Sequence, residues 1–145
     1  MISAVDSSVI LDVLTDSRTF ALPAISALRR GADEGRLIVC ECVLAEVFPA
    51  IADRSRFRQF LSDWQIEFVP STVESAVSAG EIFAAYLKRS RGRKRVAADF
   101  LIGAHARAFA DRLIARGRGY FRDYFRELPI LDPSIKEPYR AAGGA

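Results

Sequence analysis

Short apolar runs alternate along the chain with longer segments in which apolar residues recur at helical spacing. The runs have the length of buried strands in a parallel sheet and lie at 2–5, 36–40, 66–70, 112–115 and 128–131. The helical segments lie at 7–14, 23–35, 41–51, 55–64, 72–89, 98–109 and 120–127. This alternation predicts an α/β fold in which a central, mostly parallel sheet of four to five short strands has helices on both faces.

Three acidic residues are placed near the ends of predicted strands. Asp6 comes directly after the first run, Glu46 lies in the apolar helix after the second, and Asp99 opens the helix that leads to the fourth. Ligand sites of parallel α/β sheets lie beyond the carboxyl ends of the strands, so we expect these acids to meet at one edge. Three carboxylates held together repel one another, and a divalent cation with oxygen ligands relieves that repulsion. The sequence therefore predicts a Mg²⁺ site, with Mn²⁺ as a second suitable ion.

Each acid taken singly also has a purely structural interpretation. Asp6 is placed to cap the helix that follows it, and Glu46 could lie on a solvated helix face. Asp99 is placed to accept hydrogen bonds from the free N–H groups of a first helical turn. The joint placement of the three acids after strands favours a shared site.

Composition sets bounds on size, compartment and partners. The 145 residues predict a single domain over 1–133 and a flexible C-terminal tail at 134–145. A net charge of +3 is compatible with a nucleic acid partner but does not require one. Because no apolar run reaches bilayer length and no targeting signal is visible, we expect a cytoplasmic protein without a membrane partner. Cys40 and Cys42 are too few for a disulfide framework and are expected to behave as small core residues.

Four segments together resemble the motifs of PIN-domain proteins, most closely the VapC-type toxins of bacterial toxin–antitoxin pairs. They are VDSSVILDVL, VLAEV, RKRVAADFLIGAHA and ADRLIARGRGYFRDYFRELPILDP, which follow one another over nearly the whole chain. The resemblance implies a PIN-like fold and a Mg²⁺-dependent ribonuclease that cleaves RNA phosphodiesters, often as a homodimer, and is held silent by a cognate antitoxin protein. Asp6, Glu46 and Asp99 match the family's catalytic, metal-binding acids, and Ser8 matches a hydroxyl residue often found near the first acid.

The chain departs from the family pattern after the fourth predicted strand. Where the family usually has Thr-Arg-Asp, this chain has Ala115, Arg116 and Gly117, so the usual fourth acid and a hydroxyl are absent. Three explanations stay open. The site works with three acids, another acid such as Asp12 or Asp123 takes the fourth place, or the chain is a catalytically weakened or inactive PIN-fold module that binds RNA or an antitoxin.

Basic residues are concentrated just before Asp99. The segment KRSRGRKR, residues 88–95, holds six basic residues in eight, which is typical of a solvated helix end or of a surface that binds RNA phosphates. The candidate RNA contacts are Arg93, Lys94, Arg95 and Arg116. His105 lies well away from the direction of Asp99 on its helix and is expected to pack in the core or against a partner.

Overall fold

A parallel sheet lies at the centre of the molecule. The computed structural model describes residues 1–89, 96–117 and 119–135, and every strand pair within them runs parallel. The strands are β1 Ile2–Val5, β2 Arg36–Val39, β3 Ile66–Phe68, β4 Arg112–Ile114 and β5 Ile130–Leu131. Their order across the sheet is β3-β2-β1-β4-β5. The predicted α/β class is confirmed, and the sheet is parallel throughout the described residues.

Helices connect these strands close to the positions that the apolar spacing predicts. They are α1 Ser7–Leu14, α2 Ala21–Glu34, α3 Glu41–Ile51, α4 Arg54–Asp63, α5 Val73–Arg89, α6 Ala97–Phe109 and α7 Gly119–Tyr124. None of the described helices is both long enough and apolar enough to cross a membrane.

Two boundaries depend on prolines. Pro49 lies inside α3, which continues to Ile51 and closes at Ala52, whose φ is 53°. Proline has no N–H to donate to the carbonyl oxygen four residues earlier, and the helix ends two residues after it. The last predicted strand is shortened at its start because Pro129 has no N–H, although its carbonyl oxygen accepts a bond of 2.9 Å from the Leu113 N–H.

Helices cover both faces of the central strands. Neighbouring residues of a strand point to opposite faces, and in β1 the consecutive residues Ser3, Ala4 and Val5 are all at most 2% exposed. Burial on both faces explains why these strands are apolar without a polar–apolar alternation. The same packing accounts for the cysteines, which are free thiols, Cys40 buried and Cys42 half-buried.

An aromatic cluster joins α5, α6 and α7. The ring centroid of Phe100 on α6 lies 5.3 Å from those of Phe83 and Tyr86 on α5 and 5.7 Å from that of Tyr124 on α7. Phe125, which follows α7, is also buried. These rings therefore fix the helices against one another, as core aromatic residues do.

The strand register aligns the ends of three neighbouring strands. We call the edge of the sheet at which the five strands end the carboxyl edge. In the register of β1, β4 and β5, the residues that directly follow the strands lie in one row, and they are Asp6, Ala115 and Asp132. Asp6 and Asp132 are thus two strands apart, which is about 10 Å between backbones.

Candidate active site

Asp6 is the most deeply buried acid among the predicted site residues. It is the N-cap of α1, is 8% exposed, and its Oδ2 accepts bonds from the Ser8 N–H at 3.2 Å and the Ser8 hydroxyl at 2.5 Å. Burial raises the pKa of Asp6 above its ordinary value, and the nearby charge of Asp99 raises it further, while the bonds from Ser8 oppose the shift. Asp6 therefore caps a helix, as the structural interpretation predicts, and also faces a second acid.

Ser8 connects the ends of two strands. Its hydroxyl donates to Asp6 and accepts a bond of 3.3 Å from the backbone N–H of Arg116, which follows β4. The orientation of the Asp6 carboxylate is therefore tied to the backbone at the end of β4. The sequence predicts a supporting role for Ser8, and the structure places this residue in direct contact with Asp6.

Glu46 and Asp99 approach the same edge from two helices. Glu46 lies on α3 and is largely exposed. Partial desolvation of its carboxylate nevertheless raises its pKa. The charges of Asp6 and Asp99 raise the pKa of Glu46 as well, and a bond from the Ser7 hydroxyl lowers it. Asp99 lies in the first turn of α6, where its Oδ2 accepts a long bond of 3.4 Å from the Val96 N–H. The structure thus brings the three acids within electrostatic range of one another.

The ligand chemistry of this group fits a hard divalent cation. The charge of Asp99 raises the pKa of Asp6, and the charges of Asp6 and Asp99 raise that of Glu46, so this group holds an excess of negative charge, which a divalent ion would neutralise. Within residues 1–89, 96–117 and 119–135, however, no three Asp, Glu, His or Cys side chains stand close enough together to hold a metal ion as they are. The site fits in charge and ligand type, and it is not a preformed cage.

The position of the absent fourth acid has its own backbone conformation. Gly117 has a φ of +75°, in the left-handed region, and a Cβ built on it would meet no atom of the described residues within 4 Å. Space is therefore open at this position, and the backbone conformation favours glycine. Of the two acids suggested as replacements, Asp123 is exposed on α7, and Asp12 is bound to a neighbouring arginine.

That arginine is Arg116, whose side chain is held on two sides. Its Nε donates to Asp12 Oδ2 at 2.7 Å and its Nη2 donates to Asp12 Oδ1 at 3.0 Å. Its guanidinium carbon lies 4.1 Å from the ring centroid of Phe20. The bond to Asp12 raises the pKa of Arg116, and the charges of Asp12, Asp132 and Asp6 add to that effect. Asp12 therefore serves here as the partner of a cation.

Asp132 is a further acid at the carboxyl edge and is not among the candidates predicted from the sequence. It follows β5, is 5% exposed, and its Oδ1 accepts bonds from the Ser134 N–H at 2.9 Å and the Ser134 hydroxyl at 2.6 Å. Asp6 and Ser8 form the same arrangement after β1. The repeated spacing, an aspartate directly after a strand with a serine two residues later, is the signal that could have revealed it.

The remaining candidates have different outcomes. Arg93, Lys94 and Arg95 lie outside the described residues, so their predicted role remains a prediction. His105 is 1% exposed, and its Nε2 lies 2.7 Å from the carbonyl oxygen of Val69. Burial lowers the pKa of His105, while the hydrogen bond to Val69 and the charge of Glu41 oppose the shift, and the ring packs in the core, as the sequence predicts.

Comparisons with known proteins bear on the family and the fold of the chain. Residues 4–126 match a family model described as the PIN domain. A search of curated proteins gives no significant match. Among solved structures, VapBC2 from Rickettsia felis bound to a promoter DNA fragment has a TM-score of 0.67 at 17% identity, covering 91% of this chain and 98% of that one.

Two further structures are similar at the same level of identity. FitAB bound to the IR36 DNA fragment has a TM-score of 0.65 at 17% identity and covers 97% of this chain and 100% of that one. FitAcB from Neisseria gonorrhoeae has a TM-score of 0.63 at 17% identity and covers 92% of this chain and 98% of that one. At such identities the likeness is one of fold.

Proposed function

This chain belongs to the PIN-domain family, and from that membership we propose that it is a Mg²⁺-dependent endoribonuclease toxin of a toxin–antitoxin pair. The observation that carries the proposal is the electrostatic coupling of Asp6, Glu46 and Asp99 at the carboxyl edge of the sheet. Ligand sites of parallel α/β folds lie at this edge, and coupled carboxylates there are a frequent sign of a functional site.

Asp6, Glu46 and Asp99 would hold Mg²⁺ or Mn²⁺. A bound divalent ion supplies an oriented water of lowered pKa and offsets the negative charge that develops on the phosphate during hydrolysis. The chain itself orients the ligands. Ser8 fixes the carboxylate of Asp6 through its hydroxyl and its N–H, and the Ser7 hydroxyl bonds Glu46. Such bonds to metal-binding side chains support affinity and activity.

The proposed partners are RNA, an antitoxin protein and a second copy of the chain. The similar solved structures are the complexes VapBC2, FitAB and FitAcB, two of them with bound DNA, and together with the resemblance to VapC-type toxins they support an antitoxin partner here. RNA phosphates would contact four basic residues, Arg93, Lys94, Arg95 and Arg116. The site of action would be the cytoplasm.

The second candidate function is a PIN-fold module that binds RNA or an antitoxin and does no chemistry. Gly117 favours it, because the backbone conformation at this position suits glycine rather than the family's usual fourth acid. The coupled carboxylates favour catalysis instead, since an edge used only for binding RNA would gain nothing from their mutual repulsion.

The experiment compares RNA cleavage by the wild-type protein and by Asp6→Asn, with Mg²⁺, with Mn²⁺ and with EDTA. Asparagine retains the helix cap and removes the charged ligand, so we expect folded protein without detectable cleavage. We expect Ser8→Ala to lower the rate by about 10- to 100-fold, since it removes a bond that orients Asp6. Several structured RNAs are needed because the target is unknown.

The matched control is Asp53→Asn, which changes the exposed N-cap of α4, where the Asp53 side chain accepts the Arg56 N–H at 2.8 Å. It should cut like the wild-type protein. Cleavage that survives Asp6→Asn or EDTA would overturn the proposed site. Tight RNA binding without cleavage by the wild-type protein would leave the binding-module function.

A further inference from the structure

The side chain of Arg116 is ordered before any ligand arrives. Two bonds to Asp12, at 2.7 and 3.0 Å, fix the plane of the guanidinium, and the Phe20 ring lies against it. Asp12 is 7% exposed, and the backbone N–H of Phe20 is itself bound by the Ser17 hydroxyl. An arginine held in this way has already lost most of the rotamer freedom that binding a ligand would otherwise cost.

Part of the Arg116 side chain still faces solvent. A guanidinium has five N–H donors, and the two bonds to Asp12 use one on Nε and one on Nη2. The Arg116 side chain is 35% exposed, so it is not closed off from a ligand by Asp12 and Phe20. A planar donor group of this kind suits the oxygens of a phosphate.

Arg116 is also close to the acidic site. Its backbone N–H donates to the Ser8 hydroxyl, which in turn donates to the Asp6 carboxylate, so two hydrogen bonds connect this residue with the first acid. A cation fixed beside the carboxylates at the carboxyl edge is placed to hold a substrate that is itself an anion.

We infer that Asp12 and Phe20 are positioning residues, which hold Arg116 as a fixed anchor for an RNA phosphate next to the one that is cleaved. This inference rests on the proposed function, because it takes RNA as the ligand of the site. It gives Asp12 a role different from that of a fourth metal ligand.

The alternative is that Asp12 and Arg116 form only a stabilising ion pair, and the two explanations differ in the sign of one effect. Asp12→Asn removes a negative charge close to the RNA site. If only the net charge matters, RNA binding becomes tighter in this variant. If Asp12 positions Arg116, binding becomes weaker although the protein has become more positive.

The experiment measures the affinity of a fluorescently labelled single-stranded RNA of mixed sequence in EDTA, where no cleavage occurs, over a series of salt concentrations. We expect Arg116→Met to weaken binding and to lower the slope of log affinity against log salt by about one. Asp12→Asn and Phe20→Leu should each weaken binding severalfold, Phe20→Leu without any change of charge.

Two matched variants serve as controls. Arg30→Met removes an exposed arginine that is paired with Glu34 at 2.9 Å on α2, and Asp53→Asn removes an exposed acid on α4. Arg30→Met should weaken RNA binding less than Arg116→Met does, and Asp53→Asn should weaken it less than Asp12→Asn does. The melting temperature of every variant shows whether weaker RNA binding comes from unfolding or from the loss of the fixed Arg116 side chain.

The outcomes separate this inference from the proposed function. If cleavage still depends on Asp6 but Arg116→Met binds RNA like Arg30→Met, the anchor is overturned and the ribonuclease stands. If Asp12→Asn tightens binding, the positioning role of Asp12 is overturned. If Arg116→Met, Asp12→Asn and Phe20→Leu weaken binding but the wild-type protein cleaves no RNA, the inference stands without the catalytic proposal. A wild-type protein that binds no RNA would overturn both.

Discussion

Gly117 stands where the family usually has a fourth acid, and its backbone has a left-handed conformation. At a φ of +75°, an L-residue is strained by the approach of its Cβ to the neighbouring carbonyl oxygen, and Asp and Asn are the residues that tolerate this region best after glycine. Among the described residues, no side chain obstructs the position. A carboxylate there is therefore opposed by local backbone energy alone, and a bound cation could offset that cost.

The variant Gly117→Asp tests this balance. We expect its free energy of unfolding without metal to fall by about 1 kcal/mol because of the positive φ. Its affinity for Mn²⁺, measured by calorimetry, should rise because a fourth carboxylate joins the site. Gly117→Asn is the control, with the same backbone cost and no charge. Equal Mn²⁺ affinity of the two variants would show that a side chain at this position does not reach the metal site.

At the scale of elements, α6 connects the core to the carboxyl edge. It carries Asp99 in its first turn, and its residues from Ile102 to Ala106 are buried. Gly103 lets the helix lie directly against Phe125, since a Cβ there would come within 2.4 Å of the ring. The close packing of α6 against the core therefore determines the position of Asp99.

Two alanine substitutions on neighbouring helices should have opposite effects. Gly103→Ala forces the Phe125 ring to move and should destabilise the protein by about 1–3 kcal/mol. Gly80→Ala, on α5, meets nothing within 4 Å and should stabilise it by about 0.5–1 kcal/mol through helix propensity. Urea denaturation measures both. Equal stability of the two variants would contradict the proposed contact between α6 and Phe125.

At the scale of the whole molecule, the sheet concentrates buried negative charge at one edge. The folded protein raises the pKa of Asp6 and of Glu46, so its folded state binds protons more readily than its unfolded chain. Protonation of these groups therefore stabilises the fold. That contribution is fully present below their unfolded pKa values, near 3.8 for Asp6, and is lost as the pH rises through the raised values.

Asp6→Asn should consequently be more stable than the wild-type protein at neutral pH without metal. The advantage should shrink as the pH is lowered, because the wild-type carboxyl then takes up a proton. Melting temperatures from about pH 4 to about pH 8 measure the difference. Adding Mn²⁺ should raise the melting temperature of the wild-type protein and affect the variant less. An unchanged or lower stability of Asp6→Asn, with Asp53→Asn as reference, would contradict a strained acidic edge.

The elements, the fold class and most of the candidate site residues follow from the sequence without the structure. Apolar runs and helical spacing depend on residues that are close in the chain, so both can be recognised in the sequence. The same is true of Asp6 and Ser8, which lie two residues apart and bond each other directly. Family motifs then assigned Glu46 and Asp99 to the same site, and the structure places their charges near Asp6.

The contacts between residues that are far apart in the chain are set by the three-dimensional packing. The pair of Asp12 and Arg116 spans 104 residues, and the bond from the Arg116 N–H to Ser8 spans 108. Both contacts exist because β4 lies beside β1, and no local pattern specifies that order. The place of Asp132 in the row of strand ends follows from the same register. Local periodicity encodes the elements, whereas strand order and register arise from the packing of the whole chain.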